Sequence, residues 1–353
     1  MTANIAAASA LVLADLDLAS RALGGAVVWA NDEFFGMKEN LVTPAPPTFS
    51  PHTFDLKGQV VDGWETRRRR PGTVETEATC ATYDSAIIRL GAPGLIRSVT
   101  VDTSFFVGNY PPACSIEAAD VRGYPSPHDL LEADWTTIVP ESKLTGDTRN
   151  VFELIDSTLR RIRFTHVRLN NIPDGGIARL RVHGEVLPDP EFTVGVQCDL
   201  AAARNGARVT ASSDAFFSPA TAALMPGESR VMGDGWETAR RRDSANDWIE
   251  VQLIGEATPV IIEIDTANYK GNAPARIRLR SRVAEGDWID LIPETPVQPD
   301  TLHRFRLKAA HPATHLRLDT YPDGGIARLR VHGHLTPQGA ATVHTRWTAA
   351  NRP

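Results

Sequence analysis

The sequence is poor in cysteine and in lysine, and it lacks any long apolar run. Cys80, Cys114 and Cys198 are the only cysteines in 353 residues. They are odd in number and show no CxxC spacing. That argues against a disulfide framework or a thiolate metal site and points to a reducing compartment. No apolar stretch approaches the roughly 20 residues that span a bilayer. The first apolar run has no basic segment before it and is interrupted by Asp15 and Asp17, so neither a signal peptide nor an anchor is expected. The formal net charge of −6 offers nothing overall for nucleic acid or an anionic membrane. A cytoplasmic, soluble protein is the expectation. Lysine accounts for only five of the 37 basic residues (38, 57, 143, 270 and 308). The arginine excess suits recognition of planar anions. A GC-rich genome would also produce it, so no single arginine carries weight.

What the sequence does have is repetition. Pro173 to Gly184 and Pro322 to Gly333 both read Pro-Asp-Gly-Gly-Ile-Ala-Arg-Leu-Arg-Val-His-Gly. The Asp-Gly-Gly portions supply residues that tolerate a tight turn. After the turn the period is two: Ala178, Leu180 and Val182 share one face, and Ile177, Arg179, Arg181 and His183 the other. A half-buried strand with a basic second face is predicted. Recurrence extends well beyond this stretch. Asp62-Gly-Trp-Glu-Thr-Arg67 returns as Asp234-Gly-Trp-Glu-Thr-Ala239, each followed by three arginines. Val101-Asp-Thr103 with Gly108-Asn109 returns as Ile264-Asp-Thr266 with Gly271-Asn272. The offset between copies falls from 182 at Phe34 and Phe216 to 149 at Pro173 and Pro322, so the second copy carries deletions.

Two copies of one domain follow: a first repeat within 1–187, with the recurrence beginning at Asp17, and a second in 199–337. Residues 188–198, with Pro188 and Pro190, form a linker, and 338–353 a C-terminal tail. Short alternating segments such as Ser98–Thr103, Ile162–Leu169 and Ile277–Arg282 are separated by Pro, Gly and Asp turns. An all-β protein of two tandem jelly-roll sandwiches is predicted, with little helix. Ile5–Leu23 is a candidate for an opening helix. Binding chemistry in such sandwiches usually sits in end loops, which makes 31–82 and 213–247 the segments of interest.

Three constellations could carry chemistry. In the first, Asp62 and Glu65 bracket Trp64 and precede Arg67 and Arg68; Asp234, Glu237, Arg240 and Arg241 repeat the pattern. A carboxylate desolvated by an indole has its pKa raised, as a general acid needs, and arginines pair with a substrate carboxylate. The structural alternative is a core tryptophan beside a Glu65–Arg68 ion pair. In the second, Asp102 and Asn109, with Asp265 and Asn272, could present a carboxylate and an amide to a ligand; a self-capped Asx-turn is the alternative. In the third, Asp174 and Asp323 are the residues of the doubled stretch best placed to reach a ligand. His166, His183, His315 and His332 are more simply strand residues. No HExxH motif, phosphate loop or nucleophile elbow occurs.

The order of these segments resembles the allantoicase family. The resemblance is carried by Asp32-Glu-Phe-Phe35 with Lys38-Glu-Asn-Leu41, Asp62–Arg70, Ile87–Gly91, Val101–Pro112 and both copies of the doubled stretch. It implies galactose-binding-like jelly rolls, assembly into a homo-oligomer, and hydrolysis of allantoate to ureidoglycolate and urea in purine-derived ureide catabolism. Thr82-Tyr83-Asp84-Ser85 departs from the family's Gly-His-Asp-Trp, and Asn268 and Ala273 stand where His and an aromatic are common. Release of intact urea requires cleavage from the central carbon to nitrogen. That calls for an arginine clamp (Arg68 or Arg241), proton transfer by Glu65 or Glu237 and Asp62 or Asp234, and an amide, Asn109 or Asn272, on a ureido group. No cofactor is required in principle, although a divalent ion such as manganese could replace the acid. A non-catalytic tandem carbohydrate-type binding module, or a paralogue acting on another ureide, is the alternative.

Overall fold

A 19-residue strand, Asp84–Asp102, organises the first repeat. Fully extended it would run about 60 Å at 3.3 Å per residue, longer than a sandwich of this size. Gly91, Pro93 and Gly94 lie at its middle, where the chain turns from one pairing to another. Its first part pairs with Arg163–Ile172 on one side and Ala26–Ala30 on the other. Its second part pairs with Arg179–Val186 and Arg149–Glu153. Ala113–Ala119 and Thr136–Lys143 extend the sheet beyond Arg163–Ile172.

The computed structural model describes residues 15–70, 82–309 and 311–351. It divides into two units, 15–187 with 349–351 and 188–348. In the second unit Asp247–Asp265 plays the same part, pairing with Ala313–Tyr321, Arg208–Ser212, Arg328–Leu335 and Leu302–Arg306. The architecture is the all-β pair of jelly rolls expected. One expectation is not met within the described residues. Residues 15–23 contain the two-residue strand Leu16–Asp17 and turns rather than helix; 5–14 lie outside the described residues. The C-terminal segment supplies instead the helix Pro337–Ala349. No described helix is long and apolar enough to cross a membrane.

The doubled stretch forms the corner to which both ends of the long strand return. Asp84 N–H donates to the Pro173 carbonyl at 3.0 Å, and Ala178 N–H donates to the Asp102 carbonyl at 2.8 Å. Its two glycines have different reasons. Gly175 sits at φ +137, a backbone region that side chains disfavour. Gly176 has ordinary backbone but no space: a Cβ there would lie 2.0 Å from the Phe106 ring. Gly63, in the Gly-Trp-Glu-Thr box, approaches the same ring, its notional Cβ 2.7 Å away. Phe106 is thus wedged between the box and the corner. Tyr269 fills the same place in the second repeat, between Gly235 and Gly325.

The predicted basic face of the corner strand is not a surface. Arg179 is 1% exposed because 44–62 folds over it. Its guanidinium donates to the carbonyls of Ala45, Asp62 and Ala178 at 3.1, 2.9 and 2.8 Å. Tertiary cover has overridden the alternation.

Gly176→Ala is expected to destabilise by about 1–3 kcal/mol, the usual cost of forcing a methyl group into a packed site. Adding Phe106→Leu should recover part of that loss. Chemical denaturation of the single and double variants measures the coupling; additive losses would refute the wedge.

Candidate active site

The two-residue strand Trp64–Glu65 pairs with Gly176–Ile177, so the corner fixes the box directly. Trp64 is fully buried, and its indole N–H donates to the Asp32 carbonyl at 2.7 Å. Trp236 does the same with Asp214 at 2.9 Å. The tryptophans are core residues. Alternation along the strand then turns Glu65 the other way. Its Oε1 accepts from Asn109 Nδ2 at 2.8 Å. Glu237 and Asn272 are joined in the same way at 2.5 Å. The corner places this partner too, since Gly176 N–H donates to the Asn109 carbonyl at 2.7 Å. Two of the predicted constellations therefore meet in each repeat. Burial raises the Glu65 carboxyl above its ordinary range, against the lowering effects of the Asn109 hydrogen bond and the Arg68 charge.

In the first repeat this pair lies in a cleft of about 380 Å³. Phe35, Phe49, Phe105 and Phe106 supply apolar walls; Lys57, Gln59, Asp62, Glu65, Ser104 and Asn109 supply polar groups. Phe105 stacks on Phe49 with centroids 5.8 Å apart, and holds a φ of +69. Such a backbone is strained for an aromatic residue, and strain of this kind collects at functional sites. Asn268 occupies the same position in the second repeat at φ +72, where asparagine is at ease; its amide donates to the Ser229 carbonyl at 3.0 Å.

Other predicted residues have structural occupations. Asp62 reaches the cleft, but Oδ1 accepts from buried Arg179 at 2.8 Å and Oδ2 from the Thr48 N–H at 2.8 Å. A carboxylate so engaged is poorly suited to proton transfer. Asp234 instead accepts from the Arg230 N–H at 3.0 Å. Asp174 and Asp323 do not reach outward: they hold the backbone N–H groups of Arg69 and Arg241, each at 2.7 Å. Arg69 in turn binds Asp84 at 2.8 Å, and Arg241 binds Asp247 at 2.9 Å. Arg241 is therefore the counterpart of Arg69, a structural arginine, and not of Arg68. Arg68 and Arg240 are exposed, and Arg67 is tied to Asp32 at 2.7 Å. Asp102 caps its own turn, accepting from Ser104 N–H at 2.9 Å; Asp265 does so with Ala267 at 2.8 Å.

The departures at Tyr83 and Ser85 have a simple account. Both contribute backbone groups, the Tyr83 carbonyl to Arg69 and the Ser85 N–H to Asn31, while the side-chain work belongs to Asp84. His166 is buried, which with the nearby Arg89 charge lowers its pKa to about 4, so it is neutral at pH 7. His183 and His332 pair on their sheets with Asp17 and Asp199 and do not line the cleft. Among the described residues no group of three or more His, Cys, Asp or Glu is placed to hold a metal.

The repeats differ most above the Glu–Asn pair. Phe35 and Asp62 are 27 positions apart, Phe217 and Asp234 only 17. The extra length holds the small hairpin of Phe54–Asp55 and Gly58–Gln59, which brings Lys57 to the cleft. Sequence reading passed over Lys57; its one signal was membership of the segment that the second repeat lacks. In the second repeat the short segment instead brings Met232 against the pair. Asn272 Nδ2 lies 3.5 Å from its sulfur, and the Tyr269 hydroxyl donates to its carbonyl at 2.6 Å.

The family model described as Allantoicase repeat matches twice, over residues 16–187 and 198–336. A probable allantoicase of Streptomyces coelicolor is 50% identical over 335 residues, covering 94% of this chain and 88% of that protein. A probable allantoicase of Nocardia farcinica is 50% identical over 323 residues, covering 90% and 94% respectively. The crystal structure of allantoicase from Saccharomyces cerevisiae superposes with a TM-score of 0.76 at 34% identity, covering 90% of this chain and 93% of that one. With both repeats matched and the doubled corner, box and Glu–Asn pair present in each, the chain belongs to the allantoicase family.

Proposed function

We propose that this chain hydrolyses allantoate to ureidoglycolate and urea, and that the reaction takes place in the cleft of the first repeat. The observation that carries the reading is the Glu65–Asn109 pair, a carboxyl raised by burial and joined to an amide inside an open cleft. Allantoate is a carbon bearing one carboxylate and two ureido groups. Its cleavage needs a proton for the leaving urea and a base for the incoming water. Glu65 meets both needs in sequence. Its protonated form gives a proton to the departing ureido nitrogen while the lone pair of the remaining ureido nitrogen closes onto the central carbon, forming an acyl-imine-like intermediate. The Glu65 carboxylate then takes a proton from water as oxygen bonds to that carbon. One water is consumed, and Glu65 ends as it began. Asn109 occupies Oε1, which leaves Oε2 for the proton, and its own amide oxygen can accept a ureido N–H.

The second repeat retains the pair but has Met232 against it, which favours a scaffolding role there. The same reading makes the protein a cytoplasmic homo-oligomer, and sedimentation of the purified chain at assay concentration tests the assembly.

Glu65→Gln is expected to lower urea release at least about 100-fold, the usual scale for loss of a general acid–base group. Glu237→Gln should keep most of its rate. The opposite pattern would move the site to the second repeat, and full activity in both would sink the assignment. With the acid supplied by Glu65, EDTA should leave the rate unchanged; loss of activity restored by manganese would give that step to a metal.

Glu65→Gln should also be more stable than the parent protein above about pH 5, from the ordinary carboxylate range. A raised folded-state pKa favours the protonated carboxyl; that stabilisation is full below the unfolded pKa and is lost as pH rises through the folded one. Glutamine keeps a neutral group and an acceptor for Asn109 at every pH. Unfolding midpoints at pH 4 and pH 7 measure the difference, and an equal effect at both would contradict the burial of Glu65.

A further inference from the structure

Resting on the first-repeat site, we infer that Lys57, at the tip of the hairpin found only in that repeat, is the residue that recognises the substrate's carboxylate. Cleavage at the central carbon leaves the carboxylate as the one formal charge on the substrate, so its recognition calls for a cation at the cleft. Arginine was the expectation from sequence, but the arginines around the box have other surroundings. Arg69 is bound to Asp84 and Arg179 to Asp62, while Arg67 is bound to Asp32. Arg68 stands outside the cleft lining, where its charge acts on Glu65. Among the described residues that line the cleft, Lys57 is the cation.

Its placement is built. Phe54 pairs with Gln59 and Asp55 with Gly58, leaving Leu56 and Lys57 as the two-residue turn. The Lys57 N–H donates to Asp55 Oδ1 at 2.7 Å, and Gly58 takes φ +124 to close the turn. The stem is tied down by Gln59 Nε2 donating to the Ser50 carbonyl at 2.8 Å, and by Val60 N–H to the Thr53 carbonyl at 2.9 Å. The Lys57 ammonium lies 5.3 Å from the centre of the Phe34 ring, an aromatic contact that holds a cation without neutralising it. The two carboxylates of the cleft do not compete for it: Asp62 is neutralised by Arg179, and Glu65 is held by Asn109. An incoming anion therefore meets an ammonium available to pair, in the same cleft as the carboxyl that performs proton transfer. Lysine also suits a rim position, where a flexible point charge can follow the carboxylate in.

The test compares allantoate with methylenediurea, which has both ureido groups and no carboxylate. In Lys57→Ala the KM for allantoate is expected to rise roughly tenfold, the scale of one charge-assisted hydrogen bond, with kcat little changed. Inhibition by methylenediurea should stay as in the parent protein, and Lys57→Arg should restore most of the allantoate affinity. A hairpin merely deformed by the substitution would weaken both ligands alike. Equal weakening, an unchanged KM in Lys57→Ala, or a KM rise confined to Arg68→Ala would overturn the inference. Glu65→Gln is assayed alongside. Its inactivity with an unaffected Lys57→Ala removes the lysine alone; its full activity removes the site on which the inference stands.

Discussion

The site depends on an aromatic ring held between two glycines. Phe106 fits because neither Gly63 nor Gly176 has a side chain. That contact brings the Gly-Trp-Glu-Thr box against the Pro-Asp-Gly-Gly corner, and the corner in turn holds the Asn109 carbonyl. Three segments distant in sequence are thereby fixed to one another, and Glu65 meets Asn109 as a result. The buried framework beneath the cleft fixes the pairing, and partial burial of Glu65 gives its carboxyl a defined partner and a raised pKa together.

The second repeat keeps this framework and changes what stands above it. Tyr269 replaces Phe106, Asn268 replaces the strained Phe105, and Met232 lies where the first repeat has an open cleft. Each change relaxes or fills. An aromatic residue with positive φ is costly to hold, and asparagine in that place is not. The duplicated fold thus separates two demands on one architecture. One copy has a strained aromatic beside a cleft; the other has a relaxed backbone and Met232 beside the pair.

Much of the fold was legible because the two copies share long segments in one order, and because turn residues punctuate short alternating strands. The residues of the Glu–Asn pair were legible as types, but their meeting was not, since 44 positions separate Glu65 from Asn109. The structural work of the corner aspartates was not legible, because nothing local reveals that Asp174 and Asp323 hold backbone N–H groups 105 and 82 positions away. Arg179 looked solvent-facing on period two, yet an irregular segment covers it. Arg241 looked like a clamp through its place in an arginine run, whereas its neighbour Arg240 is the counterpart of Arg68. Lys57 was not legible as a site residue because its hairpin has no copy in the second repeat.

The long strand has a consequence for how this family can change length. Both of its ends are fastened to the same corner, at Asp84 and Asp102 in one repeat and Asp247 and Asp265 in the other. A slip of one residue would turn every side chain along it to the opposite layer, and with both ends fastened no free terminus exists to absorb the error. The offset between repeats drifts by ten between Phe34 and Asp62, by nine between Asp62 and Asp84 and by fourteen between Asn109 and Pro173, yet stays at 163 from Asp84 through Asp102 to Asn109. Insertion and loss are thereby channelled into the connecting segments, the one above the cleft among them. A fold with such a ruler inside it can vary its opening while the floor beneath keeps its dimensions.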